Sequence, residues 1–196
     1  MPPAYITDKN GKPMHSWRIL ILPYIDQVEL YNAYHFDEPW DGPNNRKLAD
    51  RMPRLYAITG EDRPGNVTTN YLAVVGPETV WRLNDGMKWD DVTDGTSNTI
   101  LIVENVGANV HWMEPRDLNF ADMDFTLKSK NGISSRYVDP AVAMMDGIIR
   151  RLSPNMSPQT LRALLTANGG EKLSVDPNTD EWQLLDDGRK RPLAEP

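Results

Sequence analysis

Apolar residues at steps of three and four organise the first part of the chain. In "HSWRILILPYIDQVELYNAYHF", Trp17, Leu20, Ile21, Tyr24, Val28, Tyr31 and Tyr34 share one helical face, and Ser16 stands where an N-cap is wanted. The spacing predicts a helix over 16–34, kinked or started late at Pro23, whose ring removes a backbone donor. A strand over "RILIL" before the proline is the competing reading. Next, "DEPWDGPNN" reads as a turn, Asn44 to Met52 as a short helix and "RLYAI" as a strand. "TTNYLAVVG" is β-branched and apolar, which predicts a strand, and "TVWRL" predicts a shorter one. "NTILIVEN" is apolar on both faces, as a strand in the middle of a covered sheet would be.

Residues 106–132 are mixed and loop-rich, with a turn of helix expected near "NFADMDF". "AVAMMDGIIRRL" predicts a hairpin around Asp146-Gly147, a dipeptide suited to a tight turn. "SPQTLRALLTANGG" carries a full set of helix signals: Ser157 to cap, Pro158 at the first position and Gly169-Gly170 to end it. After Glu171 the chain turns acidic and poor in apolar residues. Residues 172–196 therefore read as a partly disordered tail, ordered only where Trp182, Leu184 and Leu185 find a surface. Residues 1–171 read as one α+β domain: an antiparallel sheet of short strands packed on helices, with long loops.

Composition narrows the chemistry. The 196 residues carry a net charge of −7, and the densest basic cluster, Arg189-Lys190-Arg191, falls in the tail, so no basic face for nucleic acid is expected. There is no cysteine, which removes disulfides, thiolate catalysis and Cys-based zinc sites. No apolar run approaches the roughly 18 residues of a membrane span. The opening "MPPAYITDKNGKPMHSW" lacks the basic and apolar regions of a signal peptide.

"DVTDGTSNTILIVEN" raises the sharpest local question. Asp94, Gly95, Thr96, Ser97, Asn98 and Thr99 stand before an apolar run that ends on Glu104. Such residues bond nearby backbone N–H groups and gather at turns, with glycine supplying the unusual backbone angle. The alternate oxygen ligands of a calcium loop and the lysine of a phosphate loop are missing. The turn reading is favoured, and a ligand role stays open. Glu104, at the end of a buried strand, needs an arginine, a backbone donor, a metal or a substrate. His15, His35 and His111 belong to no paired zinc pattern, and Ser16, Ser97, Ser134 and Ser135 have no neighbouring base. Trp40, Trp81, Trp89 and Trp112 lie in loop-like segments beside acidic or amide residues, either as pins for long loops or as a sugar- or peptide-binding set.

Taken in order, several stretches resemble a bacterial pseudopilin-like family of unknown function with a prepilin-type N-terminal cleavage and methylation segment. They are Ser16-Trp17-Arg18, Leu22-Pro23-Tyr24, Glu38 to Asn45, Thr69 to Gly76, Asp94 to Glu104, Trp112 with Glu114-Pro115 and Asp117-Leu118, Asp146-Gly147, and Thr160 to Glu171. They span residues 2–171. The resemblance implies a pilin-like head whose long hydrophobic N-terminal helix, missing from this sequence, serves as signal, inner-membrane anchor and assembly element. It further implies an extracytoplasmic location, in the periplasm or at the cell surface, a role in type II secretion or a related surface assembly, and partners among pilin-like subunits or secreted proteins. Many members carry a histidine and paired glycines before the "DG" turn. Here Arg136 stands at the histidine position and Asp139-Pro140 replace the glycines, so no ligand role is carried over from them. Some pseudopilins bind calcium in a C-terminal loop, but no ligand set for calcium can be placed on this sequence.

The expected function is thus non-enzymatic and needs no cofactor. Trp17, Asp94, Gly95, Asn98, Glu104, Asp146 and Gly147 are read as a structural signature. A glycan- or peptide-binding module using the four loop tryptophans is the alternative, and it requires their rings exposed along one groove. A metal-dependent hydrolase would need Asp94, Glu104, Asp117 and His111 to converge.

Overall fold

A computed structural model describes residues 1–61, 63–83, 86–179 and 181–185. The segment predicted as one helix is three short pieces. Ser16, extended at φ −75° and ψ 152°, caps α1 (Trp17–Leu20) by accepting from Arg18 N. Pro23 opens a 3-10 turn over Leu22–Ile25, which ends on Asp26 in the left-handed region at φ 60°. α2 (Val28–Ala33) starts afresh after it. Each break resets the helical phase, so the face read from the sequence is fully buried only at its two ends, Trp17 and Tyr34. Ile19, Leu22 and Leu30 are buried, while Tyr24 is 86% exposed and Val28 51%. The opening of the chain forms a hairpin, β1 (Tyr5–Thr7) with β2 (Pro13–Ser16). Asn45–Arg51 and Arg54–Tyr56 are 3-10 helices, the second replacing the strand expected at "RLYAI".

The ribbon over 68–76 is not one strand. β3 (Thr68–Thr69), β4 (Tyr71–Leu72) and β5 (Val74–Val75) each find a different partner. β3 pairs with β7 (Val110–His111), β4 with β6 (Ile100–Glu104), and β5, in parallel, with β8 (Leu118–Asn119). The strand expected at "TVWRL" is reduced to a single bridge between Val75 and Trp81, and "NFADMDF" holds one hydrogen-bonded turn, in which Met123 N donates to Asn119 O at 2.9 Å. The hairpin at Asp146-Gly147 forms as predicted, β9 (Ala141–Met144) with β10 (Ile149–Arg151). Gly147 sits at φ 85°, a conformation glycine adopts without strain.

The largest sheet runs β10-β9-β6-β4, all antiparallel, with β6 inside it. One face carries Leu72, Ile100, Val103, Val142 and Met144 into the main core. There α3 (Pro158–Leu165) covers them with Leu161, Leu164 and Leu165. Ser157 caps α3 and Pro158 opens it, but the helix ends at Leu165, four residues short of Gly169. The segment expected as a tail begins with a further hairpin, β11 (Lys172–Val175) with β12 (Trp182–Leu185). Trp182, Leu173 and Val175 pack on the main core. The remainder of that segment, including Arg189-Lys190-Arg191, lies outside the described residues. A second core gathers Trp17, Ala73, Val75, Val80, Trp81 and Met87, and a third holds Ile19, Leu22, Leu30, Tyr34, Tyr56 and Trp112 under the long loops.

Candidate functional site

An arginine inside an apolar run has to find a counter-ion, and Arg18 finds it 99 residues away. The first turn of α1 is fixed by Ser16, whose Oγ also accepts from Arg18 Nη1 at 2.8 Å. This aims the guanidinium inward, where Nη2 meets Asp117 Oδ1 at 2.5 Å with both side chains shut off from solvent. Nε and Nη2 each donate to Tyr71 O at 3.3 Å. Asp117 Oδ1 accepts further from Ala73 N at 2.8 Å and Trp17 Nε1 at 3.2 Å. Tyr56 closes the junction by donating its hydroxyl to Arg18 O at 2.6 Å. Burial pushes the Asp117 carboxyl above its usual range, and the Arg18 charge and the Ala73 N–H oppose that push. The site therefore joins α1, the 68–76 ribbon and the 112–118 turn. Its donors and acceptors already serve one another, so it offers neither a nucleophile nor a base to a substrate.

Asp94 makes the second junction. Its Oδ2 accepts from Gly169 N at 2.7 Å and its Oδ1 from Gly170 N at 2.9 Å. Gly95, at φ 93°, turns the chain. Asn98 Nδ2 and Thr99 Oγ1 then donate back to Asp94 O and Gly95 O. Asp146 N donates to Thr96 O, tying the β9–β10 turn to the same loop. The two motifs that the sequence leaves far apart, "DGTSNT" and "GGE", are thus one structure. Glu104 takes a backbone donor, Ala141 N at 2.9 Å. His111 Nδ1 accepts from Met113 N, which leaves Nε2 as the protonated nitrogen of the neutral ring. Its ring lies 5.1 Å from Trp40, and burial lowers its pKa. Asp94, Glu104, Asp117 and His111 therefore have separate partners, and the described residues hold no group of three His, Asp or Glu side chains that could bind a metal.

Residues 1–59 match the model of a family described as a protein of unknown function (DUF1559). No curated protein matches the chain, and no solved structure does. The matched stretch carries Trp17, Arg18 and the "EPWDGPNN" loop. That loop locks on itself: Glu38 Oε1 accepts from Asn44 N and Asn45 N at 2.8 and 2.7 Å. Asn45 in turn donates to His35 O and Pro39 O. No helix among the described residues is long and apolar enough to cross a membrane.

The four loop tryptophans do not share a groove. Trp112 is fully buried with Nε1 on Ala49 O, and Trp81 is buried with Nε1 on Leu101 O. Trp40 packs on His111, and Trp89 stands exposed in a 3-10 turn. The open apolar feature lies instead on the uncovered face of the large sheet. There a trough of about 390 Å³ runs between α1 and the strands, lined by Trp17, Ile21, Leu55, Ile102, Ala143 and Ile149. Ile149, Ala143 and Ile102 are cross-strand neighbours and form a continuous row on one face. The sequence held two signals for this face: β6 is apolar from Ile100 to Val103, and Ile149 alternates with Arg150 at a strand edge.

Proposed function

We propose that this chain is the non-enzymatic, extracytoplasmic head of a pseudopilin-like subunit, working through contacts with other pilin-like subunits or secreted proteins in a secretion or surface assembly. The observation that carries the reading is the trough over Ile102, Ala143 and Ile149. An antiparallel sheet that buries one face under α3 and leaves an apolar row on the other has a surface suited to an apolar helix. The engagement of Asp94, Glu104 and Asp117 in structural bonds supports the same reading, since none of these carboxylates is held ready for chemistry. So does the match to the family of unknown function at residues 1–59.

The chain has no cysteine, so Ile149→Cys gives one unique cross-linking site. In cells that produce the protein, the cysteine is expected to trap a pilin-like subunit in the extracytoplasmic fraction. Adding Ala143→Glu should abolish that cross-link while leaving the melt of the purified chain unchanged. Recovery of the protein in the cytoplasm, or a cross-link indifferent to Ala143→Glu, would overturn the reading.

A further inference from the structure

The loop over 36–45, which follows α2, is closed on itself by Glu38 and Asn45. Gly42 N donates to Pro39 O at 2.8 Å, and Arg46 N to Gly42 O at 2.9 Å. Its attachments to the rest of the fold are of another kind. Trp40 N donates to Met14 O at 3.1 Å, at β2, and the Phe36 and Trp40 rings pack against the third core. A histidine stands at each of these two rings. His15, next to Met14, meets Phe36 edge-on at 5.2 Å. His111, on β7, lies 5.1 Å from Trp40.

Both histidines are seated in a way that favours the neutral ring. His15 is 2% exposed, and its Nδ1 lies 2.9 Å from the Tyr34 hydroxyl. A neutral ring can accept there, whereas a charged one can only donate. The phenol would then have to turn its own proton elsewhere, inside a cluster formed by the rings of His15, Tyr34 and Phe36. It does not give that proton up, because burial pushes the Tyr34 pKa up and Glu38 and Asp41 add to the push. His111 Nδ1 accepts from Met113 N at 3.2 Å, a bond that a proton on Nδ1 abolishes.

The charged groups around the two rings are few. On the loop they are Glu38, Asp41, which faces Arg46 at 3.7 Å, and the His35–Asp37 pair at 3.6 Å, largely in solvent. β1, which sets Ile6 opposite His15, carries no charge, and neither does β3, which sets Thr68 opposite His111. Beside His111, Glu114 accepts from His111 N at 3.3 Å and is paired with Arg116 at 2.6 Å. The Phe36 backbone and Glu114 pull the rings toward the charged form, and burial outweighs both.

We propose that the loop over 36–45 is an acid-released latch: charging His15 or His111 frees it as a unit and uncovers the third core. The loop's own bonds to Glu38 and Asn45 keep its shape, so that the bond from Trp40 N to Met14 O is the one that opens. Once the loop has swung away, the histidines meet water and take up protons as ordinary imidazoles do. Each histidine exposed in this way should raise the released population up to about thirtyfold between about pH 7.5 and about pH 5. The latch does not depend on the pseudopilin-like reading.

The test is amide hydrogen exchange of the whole chain at those two pH values, expressed as protection relative to an unstructured peptide so that the intrinsic pH dependence of exchange drops out. The amides of Trp40 and Met113 are expected to lose protection in acid while those of β6 keep theirs. His15→Gln and His111→Gln, neither of which can gain a proton, should each remove part of that loss, and the double variant most of it. Imidazole NMR of the unaltered chain gives a reading that needs no variant to fold. His15 and His111 should take up their protons over the pH range in which the Trp40 amide opens. Unchanged protection at Trp40, an equal loss in β6, an undiminished loss in the double variant, or histidines that titrate apart from the opening would each overturn the proposal.

Discussion

Two carboxylates hold distant parts of this chain together, and they do so in opposite surroundings. Asp117 is buried against Arg18 and ties residue 18 to residue 117. Asp94 works near the surface and ties its loop to Gly169 and Gly170 through backbone N–H groups alone. Both accept at least two hydrogen bonds, so bond counts do not separate them. What separates them is the fate of the partner when the carboxylate is lost. Water can take over at Gly169 and Gly170, but it cannot reach the guanidinium of Arg18. Burial, more than the number of contacts, makes the first junction the one the fold depends on.

Breaking either half of the buried pair should therefore cost most. Arg18→Met or Asp117→Asn is expected to destabilise the chain by about 3–5 kcal/mol, read by urea unfolding, because each leaves a buried group unpaired. The double variant Arg18→Met, Asp117→Leu should cost clearly less than the two single losses summed. Strict additivity would mean that the pair is not coupled. Asp94→Ala should cost about 1–2 kcal/mol, since its partners return to water. A loss as large as that of Arg18→Met would erase the distinction between the two junctions.

Acidification sharpens the same contrast with uncharged partners. His15, hydrogen-bonded to the Tyr34 hydroxyl at 2.9 Å, and His111, packed on Trp40, both have pKa values lowered by burial. In the folded chain they bind protons less readily than in the unfolded one. Their contribution is therefore complete above about pH 6.5 and is lost as pH falls through their lowered values. Asp117, pushed up by burial, acts with the opposite sign. The two can be told apart by comparing melts at about pH 7.5 and about pH 5 in the parent and in His15→Gln, His111→Gln, where the acid loss should shrink. The smallest effect is expected at Ile149, 65% exposed at the sheet edge. Ile149→Asp should move stability by no more than about 0.5 kcal/mol, so a large drop would mean that the trough is already covered within the chain.

The parts of the fold legible in the sequence are those set by local chemistry. Asp146-Gly147 demands a tight turn whatever surrounds it, and Ser157-Pro158 starts a helix with the bonds of its own first turn. The "DGTSNT" loop could be read as a turn for the same reason, but the destination of the Asp94 carboxylate could not, since Gly169 and Gly170 lie 75 and 76 residues on. The 68–76 ribbon has uniform strand character, and only its three partners divide it. The helix face over 16–34 holds at Trp17 and Tyr34 and fails at Tyr24 and Val28 between them, because Asp26 takes a left-handed turn that no periodicity reveals. The hairpin after Glu171 was hidden by acidic composition, although Leu173, Val175, Trp182 and Leu184 do alternate. Arg18 and Asp117 were each visible in the sequence, but their pairing depends on the whole fold.

The division of that ribbon has a consequence for how the chain is made. Thr68 to Val75 pair with residues between 103 and 119, and Arg18 meets Asp117. Ala4 donates to Arg82 O, and Trp112 donates to Ala49 O. As the polypeptide leaves the ribosome, little of its first half can be completed before residue 119 has emerged. Residues 1–59, the stretch that a family model picks out, are therefore not a unit that could be excised and passed between proteins, but one half of an interlock whose other half is synthesised later.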